Sequence, residues 1–158
     1  MRRLVIALGT LLVAGPAVAA DFIGAEQCGT CHEKEYADWK KSGHATALAH
    51  LTKRQADDAA CRGCHTTAPE SRDPRLAGVQ CESCHGAGSL YAPDNVMRDE
   101  RLSKLLGLEK VDEQTCRPCH AQDTPNVASF VYAEAVKLVN HSRLRSAEAA
   151  PEVEAGSP

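Results

Sequence analysis

The sequence predicts a mostly α-helical protein of short helices and long loops, with no extended sheet. Three observations predict it. The 158 residues hold one Trp, three Tyr and two Phe, too few rings for a broad apolar core. Eight Cys fall into four pairs spread along the chain, with only fifteen residues between His65 and Cys81. Apolar positions near the end of the chain recur at helical spacing.

The elements follow in chain order. Arg2 and Arg3 precede the apolar stretch Leu4 to Val13, and Ala17-Val18-Ala19-Ala20 forms a small-residue cleavage pattern. Residues 1–20 therefore read as a signal peptide cut after about residue 19 or 20. The apolar run is too short to span a bilayer comfortably and no second one follows, so no membrane span is expected after cleavage. Export to the periplasm is the expectation. Cleavage removes two Arg and no acid, taking the formal net charge from -3 to -5. No basic stripe exists to neutralise a phosphate backbone, so nucleic acid is not an expected partner.

Residues 33–41 favour a helix, interrupted at Ser42 and Gly43. Ser42 is placed to cap a second helix from about His44 toward Ala60. Residues 96–106 read as helical, with Gly107 as a stop. A last helix is expected from about Val127 to His141, where Val131, Ala135, Leu138 and His141 share one stripe. Residues 142–158, rich in Ala, Glu, Pro and Ser without periodicity, read as a disordered tail. One domain is thus expected over residues 21–141.

The cysteines decide the chemistry. Outside the cytoplasm an even number of Cys ordinarily suggests disulfides. Here each pair is C-x-x-C and each is followed at once by His: Cys28, Cys31 and His32; Cys61, Cys64 and His65; Cys81, Cys84 and His85; Cys116, Cys119 and His120. This is the heme-attachment signature of c-type cytochromes. Two thiols add to the two vinyl groups of one heme, and the adjacent His reaches the iron from one side. Structural zinc and redox dithiols also use paired cysteines, but neither requires His after every pair. With 7 His in 158 residues, four such coincidences have a chance of roughly four in a million.

Four covalently attached hemes (heme c) leave about 34 mature residues each. Side chains must then pack around porphyrins, which accounts for the sparse aromatic content and predicts that the apoprotein does not fold alone.

His32, His65, His85 and His120 are taken as proximal iron ligands. Only His44, His50 and His141 remain for the opposite faces, and Met97 is the one Met after cleavage. At most three irons can have two His ligands. The fourth has Met97, another weak ligand, or none, and the choice tunes its potential. His44 and His50, six residues apart, point in different directions on one helix and cannot serve one iron together.

These residues resemble the tetraheme cytochrome c-554 family over roughly residues 26–141. The resemblance rests on the first motif followed by Trp39 and by His44 within Ser-Gly-His-Ala. It rests equally on Gly78-Val79-Gln80-Cys81-Glu82-Ser83-Cys84-His85-Gly86-Ala87-Gly88 and on His141 near the end of the last helix. It implies a mostly helical fold with hemes in stacked pairs. It also implies that His44 ligates the heme of the fourth motif, that His141 ligates that of the third, and that the heme of the second is five-coordinate. The family places a distal His for the first heme shortly after the third motif, where this chain has Tyr91 and Asn95. Either Met97 replaces it or that heme is open, and His50 is an alternative donor to the second heme.

The functional expectation is an electron carrier between a redox enzyme or quinol-oxidising complex and a downstream acceptor, with redox proteins as partners. Two alternatives are a reductase acting on a small ligand such as nitric oxide at an open heme, and a subunit of a larger multiheme assembly.

Overall fold

The computed structural model describes residues 19–121 and 129–141. Residues 1–18, most of the expected signal peptide, and the expected tail 142–158 lie outside the described residues. Nine short α-helices follow one another among the described residues: α1 Ala25–Gly29, α2 Glu33–Trp39, α3 Lys53–Asp57, α4 Ala59–His65, α5 Glu82–His85, α6 Asp94–Met97, α7 Glu100–Leu105, α8 Glu113–Cys116 and α9 Tyr132–Val139. Two 3₁₀ turns, Ala47–His50 and Pro74–Leu76, join them. Extended pairing among the described residues is limited to isolated bridges from Thr66 to Ala77 and Gly78. The mostly helical, sheet-free architecture is as the sequence predicts.

The helices are shorter than their apolar patterns suggest, and caps are the reason. The expected helix from His44 to Ala60 is instead a 3₁₀ turn and two helices, of which the second continues to His65. Thr52 takes an extended conformation and forms a capping box with Gln55, so the chain restarts at Lys53. Asp58 repeats the break by accepting from the Ala60 N–H at 2.9 Å. The run 96–106 is likewise cut in two at Asp99, whose carboxylate accepts from the Arg101 and Leu102 N–H groups. Ser42 donates to the Trp39 carbonyl at 2.7 Å and accepts from the Ala45 N–H, closing a turn and not a helix.

The buried interior is slight. Ala25, Ala47, Ala68, Tyr91 and Val96 are its apolar members, while Arg62, Thr66, Thr67, Gln80, Glu82 and Ser103 are buried with them. Polar groups therefore make up much of what is hidden, and each needs its partners. Thr67 shows how they are met: its hydroxyl donates to the Gly78 carbonyl at 3.0 Å and accepts from the Gln80 N–H and the Ser83 hydroxyl. This network ties the loop after α4 to the approach to α5.

A second tie holds the segment between α2 and the first 3₁₀ turn. Trp39 Nε1 donates to the Val79 carbonyl at 2.8 Å, and the Val79 N–H donates to the His44 carbonyl at 2.9 Å. The close approach depends on Gly78, which has φ of 79° and whose Cβ would lie 2.6 Å from the Ala45 carbonyl oxygen. A side chain there meets both a left-handed backbone and a backbone clash. G78A is expected to destabilise the protein by about 2 kcal/mol or more, read as a lowered midpoint in thermal unfolding of the heme-loaded protein.

Candidate heme centres

Each motif folds into one helical turn, and the spacing of the motif makes that turn useful. The N–H of the second Cys donates to the carbonyl of the first in Cys31→Cys28, Cys84→Cys81 and Cys119→Cys116. The His N–H donates to the same carbonyl, at 3.0 Å for His32, 2.9 Å for His85 and 3.0 Å for His120. The second motif lies within α4 itself. Residues i, i+3 and i+4 of a helical turn share one face. Two sulfurs and an imidazole are thereby presented together.

The turns are held from outside. His65 Nδ1 lies 2.6 Å from the Ala47 carbonyl, and a proton on that nitrogen leaves Nε2 free as a metal ligand. Ala25, the first residue of α1, donates its N–H to Gln80 Oε1 at 2.6 Å, and Gln80 Nε2 donates to the Arg75 and Ala77 carbonyls. The first and third motifs are thus clamped to one another. Phe130 stacks on the His120 ring at 4.8 Å, with the Arg117 guanidinium 5.5 Å from the Phe130 centroid on the same ring system.

The motifs adjoin in a definite order. The Cys28 and Cys81 thiols hydrogen-bond to each other, which holds the Cys28 thiol down and pushes that of Cys81 up. Burial, first, and the neighbouring Cys116, second, push up the Cys84 thiol. Burial and a hydrogen bond with Cys64 push the Cys119 thiol up to about 12. Neighbouring thiols thus link the first motif with the third and the fourth with the second, and the third and fourth motifs act on one another through their charges.

Two histidines from outside the motifs stand opposite motif histidines. The His44 ring lies 6.0 Å from that of His120, and the His141 ring lies 6.0 Å from that of His85. Burial first, and the His120 charge second, hold the His44 imidazole below its ordinary range. A metal bound between two imidazoles at about 2 Å from each nitrogen separates the ring centres by about 6 Å. The residues therefore fit an iron with two protein ligands, the porphyrin supplying the rest of its coordination. No cluster of three or more His, Cys, Asp or Glu able to hold an ion occurs among the described residues.

A hollow adjoins His44 and the His85–His141 pair, lined by Cys28, Trp39, His44, Cys84, His85 and His141 among others. Leu138 and Val139 of α9 edge it. The stripe expected on that helix is not buried against protein, since Leu138 is 80% exposed and Val131 58% exposed. Such apolar exposure at the rim of a hollow suits a large apolar group seated beside α9.

The remaining candidates are placed without a facing imidazole among the described residues. His50 is exposed and its Nε2 lies 3.4 Å from the Thr46 hydroxyl. Met97 is half-buried at the end of α6. Its neighbour Arg98 is held above its ordinary range by Asp94. Tyr91 is buried and donates to the Gly86 carbonyl at 2.7 Å, while Asn95 is exposed. Sequence reasoning missed Gln80, Glu82 and Arg62 as structural partners, because their acceptors and donors are backbone groups that carry no residue signature.

Comparison with known proteins bears on the family and the fold. Residues 27–86 match the family described as cytochrome c554 and c-prime. The chain is similar to cytochrome c-554 of Nitrosomonas europaea, 30% identical over 146 residues that cover 69% of this chain and 62% of that protein. It thus spans about 62% of the length of the curated relative it matches. Among solved structures, the fold is like that of the reduced state of cytochrome c554 from Nitrosomonas europaea, with a TM-score of 0.55, 23% identity and 84% of each chain covered.

Proposed function

We propose that the chain is a member of the cytochrome c554 family and a periplasmic electron-transfer protein carrying four covalently attached hemes c. The observation that carries the reading is the pairing of His44 with His120 and of His141 with His85 at 6.0 Å. Heme c, when bound, supplies reversible one-electron exchange at iron. The chain's own residues do the rest. Cys28, Cys31, Cys61, Cys64, Cys81, Cys84, Cys116 and Cys119 hold the four groups as thioethers. His32, His65, His85 and His120 ligate from the motif side, and His44 and His141 close the opposite faces of the fourth and third hemes. Imidazole on both faces excludes substrate and favours transfer over catalysis.

The adjacency of the motifs supports electron exchange between neighbouring hemes. Partners are redox proteins at either end. Among the described residues no helix is long and apolar enough to cross a membrane. With the acidic mature charge, a basic partner face is favoured. Electron transfer from a cationic donor is expected to slow steeply between low and physiological salt, as followed by stopped-flow absorbance. A salt-independent rate would remove that partner type.

The test of the function is a spectroelectrochemical titration of the purified protein. Stepwise, fully reversible reduction of four one-electron centres is expected. Centres that reduce irreversibly, or fewer than four, would contradict the reading.

A second reading is favoured by one observation. Among the described residues neither His32 nor His65 has an imidazole opposite it in the manner of the other two. Met97 is proposed for the first heme, which leaves the second with an open face and with small-ligand chemistry available there. Electron paramagnetic resonance of the ferric protein with added nitric oxide decides it. A high-spin signal abolished by nitric oxide supports the open site, and four inert low-spin irons remove it.

A further inference from the structure

Two of the four attachment turns enclose a buried charge between their cysteines. Glu82, directly after Cys81, is 2% exposed. Its carboxylate accepts from the Ile23 N–H at 2.9 Å, the Gly24 N–H at 2.7 Å and the Gly88 N–H at 2.7 Å. All three donors are backbone N–H groups, so both oxygens act as acceptors, the pattern of an ionised carboxylate. Arg62, directly after Cys61, is 6% exposed. Its guanidinium donates to the Pro69 carbonyl at 2.7 Å, the Ala56 carbonyl at 3.3 Å and the Ser71 carbonyl. Among the described residues neither side chain takes part in an ion pair.

Hydrogen bonds from neutral groups hold these charges without cancelling them. A net charge withdrawn from water acts strongly on its surroundings because the local dielectric is low. The Tyr91 phenol nearby is pushed up by burial first and by the Glu82 carboxylate second. A heme held by Cys81 or by Cys61 would be attached at the residue next to each charge. A negative charge there favours the ferric form and a positive charge the ferrous form. The other two motifs carry different chemistry between their cysteines: Gly29 and Thr30 in the first, and in the fourth Arg117, which Glu113 pairs and offsets.

We propose that Glu82 and Arg62 displace the reduction potentials of the third and second hemes in opposite directions, Glu82 downward and Arg62 upward. The proposal rests on the reading that these motifs carry heme. It makes both residues positioning and tuning groups and not ligands.

The experiment is a visible spectroelectrochemical titration of heme-loaded E82Q and R62Q beside wild type, with heme content measured on each sample by pyridine hemochrome. E82Q is expected to raise one of the lower midpoints, and R62Q to lower a different, higher one. Each shift is on the order of a tenfold change in the reduced-to-oxidised ratio at fixed potential, or about 59 mV for one electron. E82D and R62K keep the charges and are expected to stay with wild type. Midpoints in E82Q and R62Q that superimpose on wild type overturn the proposal. Equal shifts in the charge-retaining variants overturn it too, because packing would then be the cause. If one glutamine variant fails to take up heme, the other decides alone, since the two charges act at different hemes. A wild-type protein without heme would instead overturn the functional reading itself, which the hemochrome assay distinguishes.

Discussion

Replacing His44 by alanine is expected to convert one heme from low-spin to high-spin while leaving heme content unchanged. The His44 and His120 rings stand 6.0 Å apart, and no covalent link depends on His44. Removal of its imidazole would leave the heme attached through Cys116 and Cys119, with His120 as the one protein ligand to its iron. The ferric spectrum should then gain a high-spin component worth about one quarter of the iron, and the reduced protein should bind carbon monoxide at one further site. H141A is expected to do the same at the heme of the third motif, because His141 stands equally far from His85. The two effects should add in H44A/H141A, since different irons are involved. Unchanged low-spin spectra in both variants would mean that other residues close those faces. Electron paramagnetic resonance with a spin count reads the outcome.

The second large effect concerns folding. Without heme, the chain is expected to be largely unfolded. Among the described residues the buried apolar ones are three alanines, one Tyr and one Val. Burying a large apolar side chain contributes about 1.5–3 kcal/mol, and an alanine less. Ordering the backbone costs about 1–2 kcal/mol per residue. So small an interior cannot offset an ordered chain of this length without the area that porphyrins bring. Expression without heme-attachment machinery should give a chain with little helical circular dichroism, no cooperative thermal transition and rapid proteolysis. A cooperative melt of the heme-free chain would show that the polypeptide holds itself together.

What was legible in the sequence was whatever is local and chemically constrained. The four attachment turns are fixed by covalent chemistry, so Cys28 to His32 and its three counterparts could be read at once, each as a single helical turn. The absence of sheet followed from the same economy. Helix length was harder. The stretch 44–60 looks continuous by propensity, yet Thr52 and Asp58 each offer the backbone a better local hydrogen bond than the next helical turn does. The apposition of His44 to His120 joins residues 76 positions apart, and only a family resemblance could suggest it. Glu82 was visible as part of a motif but silent about its role, because its donors Ile23 and Gly24 lie 59 and 58 residues away and act through the backbone. Arg62 was silent for the same reason. The stripe on α9 was readable as a stripe, and the exposure of Leu138 among the described residues suits a large apolar group seated beside it.

The central claim is that four hemes are covalently held by four turns of one small chain. Intact mass spectrometry of the exported protein under denaturing conditions tests it most directly, since thioether links survive unfolding. The account predicts a chain beginning near residue 20 or 21 with the added mass of four hemes. A polypeptide without them, or one shortened by the hydrogens of disulfides, would contradict it.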